Sequence, residues 1–223
     1  LDQGGYIRIN DEGIEVYKAC QCLIKKRTER IFKASHITDG FANKTFEKFD
    51  LAYLPNVVRD AHRCAMKYSD SFDKIRTSKQ NSISLIGKSG AGKTHLLMAI
   101  ANRLISKNVP LIYFPYVEGF NEIKNDLDNL ESRVSKLQRI DVLFIDDLYK
   151  GRKDPTPFVI EQLFGIINYR YMNNLPVLIS SERFMNEMLD IDEAIGSRIF
   201  EMTRDFRVEL SGADLNYRLR EEE

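Results

Sequence analysis

The segment from Ser82 to Leu104 constrains the fold more than any other. A short strand-like run, Ser82 to Ile86, leads into Gly87-Lys88-Ser89-Gly90-Ala91-Gly92-Lys93-Thr94, and a helical pattern through Leu97, Ile100, Ala101 and Leu104 follows at once. The turn fits G-x-x-x-x-G-K-[ST] at each constrained position, in the strand, turn, helix context that this pattern needs. Glycines let backbone N–H groups turn inward around phosphate oxygens, and the positive end of the following helix adds to the attraction. Lys93 is then expected to reach β- and γ-phosphates, and the Thr94 hydroxyl to ligate Mg2+. The structural alternative is a tight turn that only caps a helix.

The chain around this segment alternates strand and helix. Leu111 to Phe114, Val142 to Ile145, Val177 to Ile179 and Phe206 to Leu210 are apolar strand candidates. Helices are expected over Pro55 to Ile75 (Val58, Ala61, Cys64, Ala65 and Tyr68 on one face), Val117 to Gln138, Phe158 to Met172, Met185 to Leu189 and Asp192 to Met202, with a short helix at the C-terminus. Fully apolar strands alternating with helices predict a parallel sheet covered on both faces. Residues 1–50 read as an N-terminal extension without a core of its own, and 51–223 as the main domain.

Val142-Leu143-Phe144-Ile145 runs straight into Asp146-Asp147. Two carboxylates at the carboxyl end of a buried strand suit a metal-nucleotide site. Asp146 is expected to hold Mg2+ through water, and Asp147 to polarise an attacking water as general base. The pair could instead cap the next turn.

Composition narrows the class further. The 223 residues carry 33 Lys+Arg and 33 Asp+Glu, and a zero sum argues against indiscriminate nucleic-acid binding. The zero is a cancellation, however, because Lys18 to Lys33 holds six basic residues and one acid while Glu118 to Glu131 holds five acids and one lysine. No apolar run approaches the roughly 20 residues of a membrane span. Three cysteines, Cys20, Cys22 and Cys64, are too few for a disulfide framework and suit a reducing cytoplasm. The chain begins at Leu1, and its start is read as truncated.

Three classes of phosphate-loop protein fit these features: a GTPase switch, a small-molecule kinase and an oligomeric ATPase. No N-K-x-D pattern follows the loop, which disfavours guanine; Asn43-Lys44-Thr45-Phe46 precedes it and lacks the acid. Polar Ser180, Ser181 and Glu182 end a strand expected beside the acidic one. Arg198, in Gly196-Ser197-Arg198-Ile199, could reach a neighbouring subunit's nucleotide or simply pair with Glu193 or Glu201.

Thr45 to Phe49, Gly87 to Thr94, Val142 to Leu148, Leu178 to Glu182 and Ile191 to Arg198 together resemble the AAA+ helicase loaders of bacteria and their phages, the DnaC/DnaI type, across residues 15 to 220. The resemblance implies an α/β P-loop NTPase of the AAA+ type with a minimal C-terminal lid. It implies ATP and Mg2+ as cofactors and self-association into a ring or spiral. The partners it implies are a replicative hexameric helicase and single-stranded DNA. It makes Arg198 the arginine finger, assigns nucleotide sensing to Ser181 or Ser180, and likens Arg218 to the family's C-terminal sensor arginine. Glu182 departs from the pattern, standing where family members commonly carry Asn. A transposition helper ATPase shares the architecture and stays open.

The resemblance also implies that Cys20 and Cys22 are the remnant of a zinc-binding module, and no zinc is expected in this chain. DNA contact is expected from Lys18 to Lys33, from Lys150-Gly151-Arg152-Lys153, or from Arg133, Lys136 and Arg139.

Overall fold

In the computed structural model, which describes residues 5–9, 15–19, 28–31, 33–52, 54–151, 154–213 and 215–219, each apolar run becomes a strand of one parallel sheet. The strands are β3 (Ile83–Gly87), β4 (Leu111–Pro115), β5 (Val142–Leu148), β6 (Val177–Ser181) and β7 (Arg207–Leu210), in the order β4-β5-β6-β3-β7. Before them, β1 (Gly5–Ile9) and β2 (Glu15–Ala19) pair antiparallel with each other. β3 and β6 are buried along their whole length, as sheet strands covered on both faces must be.

Period-two alternation sends Leu85, Phe144 and Leu178 to one apolar cluster and Ile86, Leu143, Ile145 and Ile179 to the other. The first is closed by α1 (Asp39–Ala42), α2 (Asn56–Ile75) and α3 (Lys93–Ser106). The second is closed by α4 (Tyr116–Lys124), α5 (Leu130–Arg139), α6 (Pro157–Met172), α7 (Met185–Ile191) and α8 (Glu193–Met202). Each large apolar side chain buried in these layers contributes about 1.5–3 kcal/mol.

Residues 35–49, read in the sequence as part of an extension, pack against α3. Ile37 and Phe46 belong to the first cluster, and the Asn102 amide donates to the carbonyls of Phe41, Ala42 and Lys44 at 3.1, 3.2 and 2.9 Å. The Tyr113 N–H of β4 donates to Ser35 O at 2.7 Å.

Two expectations are corrected. The helix expected over 117–138 is broken into α4 and α5 by a 3-10 turn at Leu127–Asn129. At the break the Asp126 backbone leaves the helical region, with φ −139° and ψ 60°, and its carboxylate accepts from the side chains of Asn129 and Arg133 in the turn that follows. Where a short C-terminal helix was expected, the described residues hold a 3-10 turn, Tyr217–Leu219. No helix among the described residues is long and apolar enough to cross a membrane.

The order of strands decides where the site lies. β6 sits between β3 and β5, so the glycine-rich turn after β3 and the acids ending β5 flank the carboxyl end of β6. Open parallel sheets bind ligands at this edge.

Candidate nucleotide-binding site

A cleft of about 800 Å³ opens over the carboxyl ends of β3, β4 and β5. Its floor is the turn from Ser89 to Thr94. Gly90 and Gly92 hold φ of +78° and +83°, and a Cβ at either would strike Asn216 or the Phe49 ring within 3 Å. Only glycine allows both the left-handed backbone and the close approach. Gly92 also caps α3, aiming the first N–H groups of that helix into the cleft.

Lys93 is 5% exposed, and its ammonium donates to Gly87 O at 2.6 Å and Lys88 O at 2.8 Å, so the turn curls around its own lysine. Burial lowers the Lys93 pKa, and the nearby Glu182 and Asp147 carboxylates oppose that shift. Lys88 and Ser89 complete the turn, and Ala91 is buried beneath it.

Asp146, 6% exposed, gathers the elements of the site. Thr94 Oγ1 donates to its Oδ1 at 3.0 Å, Tyr113 Oη donates to its Oδ2 at 3.0 Å, and the Ser180 hydroxyl also donates to Oδ1. Burial raises the Asp146 pKa, against the hydrogen bond from Ser180 that lowers it; the neighbouring Asp147 adds to the rise.

This arrangement comes from a β-bulge. Ile145 pairs with Ile179 and Leu148 with Ser181, so Asp146 and Asp147 together face Ser180 alone. A bulge leaves one N–H without its ladder partner. Ser180 supplies the substitute, its Oγ accepting from the Asp147 N–H at 2.7 Å. Asp147 thereby takes φ +56° and its carboxylate lines the cleft.

Among the expected site residues, the structure brings the loop, Asp146, Asp147 and Arg218 to one cleft. Arg218 arrives because Tyr217 N–H donates to Gly90 O at 3.1 Å, folding the last described turn over the loop. Ser181, expected to sense nucleotide, does not line the cleft. It is fully buried, donates to Leu148 O at 2.7 Å and accepts from Arg183 N–H at 3.0 Å. Arg198 lies outside its own cleft, on α8, donating to Asn168 Oδ1 at 3.0 Å and Ala194 O at 2.7 Å, with its guanidinium over Phe164 and Tyr171.

Of the basic residues assigned to DNA, Lys150 lines the cleft, and Arg133 is paired to Glu122 and Asp126. Arg152, Lys153, Cys20, Cys22 and most of Lys18 to Lys33 fall outside the described residues. Residue-by-residue reading of the sequence missed Tyr113 and the apolar wall of Phe49, Leu54, Val58 and Leu215. Phe49 had a signal in the Thr45 to Phe49 string; Tyr113, one aromatic in a buried strand, had none.

Such a cleft can take a polyphosphate on its glycine turn and a flat apolar ring against its wall. Mg2+ characteristically takes one or two protein oxygens and completes its shell from phosphates and water, and Thr94 with Asp146 offers such a pair.

Residues 43–203 match the family model of the bacterial DnaA ATPase domain. The chain is 42% identical to the phage-like element PBSX protein XkdC of Bacillus subtilis, covering 98% of this chain and 84% of XkdC. It is 46% identical to YqaM of the same organism, covering 91% of this chain but 66% of YqaM. With the replicative helicase loader DnaI of Bacillus subtilis it shares 29% identity over 81% of this chain and 58% of DnaI. Two solved structures share the fold. A DnaI crystal structure matches at TM-score 0.64 and 24% identity, over 79% of this chain and 95% of that one. The replication initiator DnaA bound to AMPPCP and single-stranded DNA matches at TM-score 0.63 and 19% identity, over 81% and 53%.

Proposed function

Because the chain belongs to the bacterial DnaA ATPase-domain family and is similar to the helicase loader DnaI, we propose that it is an AAA+ protein of the DnaC/DnaI type that hydrolyses Mg·ATP and uses that cycle to deliver a hexameric replicative helicase onto single-stranded DNA in the cytoplasm. The observation that carries the nucleotide reading is the 3.0 Å hydrogen bond joining Thr94, at the end of the glycine turn, to Asp146, 52 residues away.

In this reading the backbone N–H groups of residues 88–94 hold the phosphates, and the Lys93 ammonium leaves the Gly87 and Lys88 carbonyls for β- and γ-oxygens. Thr94 and Asp146 hold Mg2+, which when bound neutralises charge on the phosphate oxygens. Asp147 accepts the proton of the attacking water as that oxygen bonds to the γ-phosphorus and the bond to the bridging oxygen breaks, giving ADP and phosphate. The base rests on Phe49 and Leu54, and Arg218 contacts the nucleotide from above.

Arg198 acts on the nucleotide of an adjacent subunit in a ring or spiral. Its position outside its own cleft supports a role in trans. The helicase and single-stranded DNA as partners are supported by the likeness to DnaI and to the DnaA complex.

The test is loading of a replicative helicase onto a closed single-stranded circle by the full-length protein, wild type against Lys93→Ala and Arg198→Ala. Both variants should fail to load. Arg198→Ala should also lower turnover about a hundredfold or more in the assembled protein while each subunit still binds ATP. Equal loading by all three proteins would overturn the mechanism, and a response to a transposase instead of a helicase would favour the transposition helper.

A further inference from the structure

Lys150 is the one cleft cation with two carboxylate partners among the described residues, and the reading above gives it no task. Its ammonium lies 2.8 Å from Asp147 Oδ2 and 3.3 Å from Glu182 Oε1. One positive charge therefore ties the carboxylate that is to activate water to the carboxylate that directly follows β6. The backbone fixes this arrangement. Lys150 N–H donates to Asp147 O at 3.0 Å, and Asp147 and Tyr149 both hold left-handed φ, +56° and +62°, so the turn sets Lys150 directly beside Asp147. The side chain itself is 43% exposed, on a flexible four-carbon stem, and can change rotamer without moving the turn.

Lys150, Asp147 and Glu182 also act on the charge of Lys93, which places all three on the side of the cleft that Lys93 serves. A bare glutamate there would repel a polyphosphate. Paired with Lys150, Glu182 is instead a holder that keeps an ammonium where a terminal phosphate would lie.

We infer that Lys150, positioned by Glu182, distinguishes ATP from ADP at this site and gates Asp147. This rests on the reading of the cleft as an ATP site. A γ-phosphate competes for the ammonium and takes it from Asp147, since its charge exceeds that of one carboxylate. Asp147 is then free to accept the proton of the attacking water. ADP brings no group to that position and leaves the Lys150 ammonium on the Asp147 oxygen, which is then already occupied when water arrives.

The test is equilibrium titration of AMPPCP and of ADP, each with Mg2+, into wild-type protein and the Lys150→Met, Lys150→Arg, Glu182→Gln and Lys93→Ala variants. Lys150→Met should weaken AMPPCP about tenfold and ADP less than threefold, and Lys150→Arg should restore most of the preference. Glu182→Gln should lose part of the same preference with the ammonium still present. Equal effects of Lys150→Met on both nucleotides, or no effect, would overturn the inference. If Lys93→Ala still lost both nucleotides in that case, the ATP site itself would stand. Failure of the wild type to bind either nucleotide would overturn both.

Discussion

Asp147→Asn should lower ATP turnover between about a hundredfold and ten-thousandfold, the usual contribution of a positioned general base, while ATP affinity stays within about threefold. The substitution isolates the chemistry for structural reasons. Asp147 sits at φ +56°, a conformation that asparagine tolerates as well as aspartate. Its N–H still donates to Ser180 Oγ, because that bond uses backbone only. An amide oxygen can still accept from Lys150 as the carboxylate does at 2.8 Å. The bulge, the cleft and the neighbouring Asp146 hub are thus retained, and the atom that could take a proton is lost. Turnover within threefold of wild type, measured as phosphate release, would remove Asp147 from the reaction.

Arg170→Met should cost about 3–5 kcal/mol of stability, because carbonyls that lose their donor cost about 1–3 kcal/mol each where nothing replaces it, partly offset by no longer burying a cation. Arg170, near the end of α6, is fully buried. One guanidinium nitrogen donates to the carbonyls of Leu137, Gln138 and Ile140 at 2.9, 3.2 and 2.9 Å, and the other to those of Asp141 and Pro176 at 3.2 and 2.6 Å. These carbonyls end α5 and lead into β5 and β6, so a single side chain ties together the two strands that carry Asp146 and Ser180. Methionine matches the length of the stem and leaves five carbonyls without that donor. At about 2–4 °C per kcal/mol for a domain of this size, the melting temperature should fall by roughly 6–20 °C. A fall of less than 2 °C would show that water satisfies those carbonyls and that the guanidinium stabilises little. Lysine should fare poorly too, because a point charge cannot reach two strands at once.

What the sequence made legible was whatever local pattern controls. The glycine turn, the apolar strands and the long helices α2, α3 and α6 depend on spacing within one segment, and they lie where the spacing puts them. Ser180 shows where that reasoning ends. Its two hydrogen bonds depend on Asp146 and Asp147 facing one residue of β6, a register that neither strand specifies alone. Lys150 looked like one charge in a basic surface run, and the turn created by the same bulge directs it into the cleft. Arg170 carries no signal of its own within the helix expected over Phe158 to Met172, and its burial follows from how α6 packs on α5. Residues 35–49 show no periodicity, because they are held by scattered apolar contacts from Ile37 and Phe46 and by polar anchors such as Asn102 rather than by one regular apolar face.

All of the proposed chemistry requires that a nucleotide lay its phosphates on the turn from Gly87 to Thr94 with Lys93 beneath them. Calorimetric titration of AMPPCP with Mg2+ into the wild type and Lys93→Ala tests this most directly. The expected result is one site per chain in the wild type and an affinity at least about thirtyfold weaker in the variant, whose loop keeps its glycines and loses its ammonium. Equal affinities would place the phosphates away from Lys93 and contradict the assignment of this cleft.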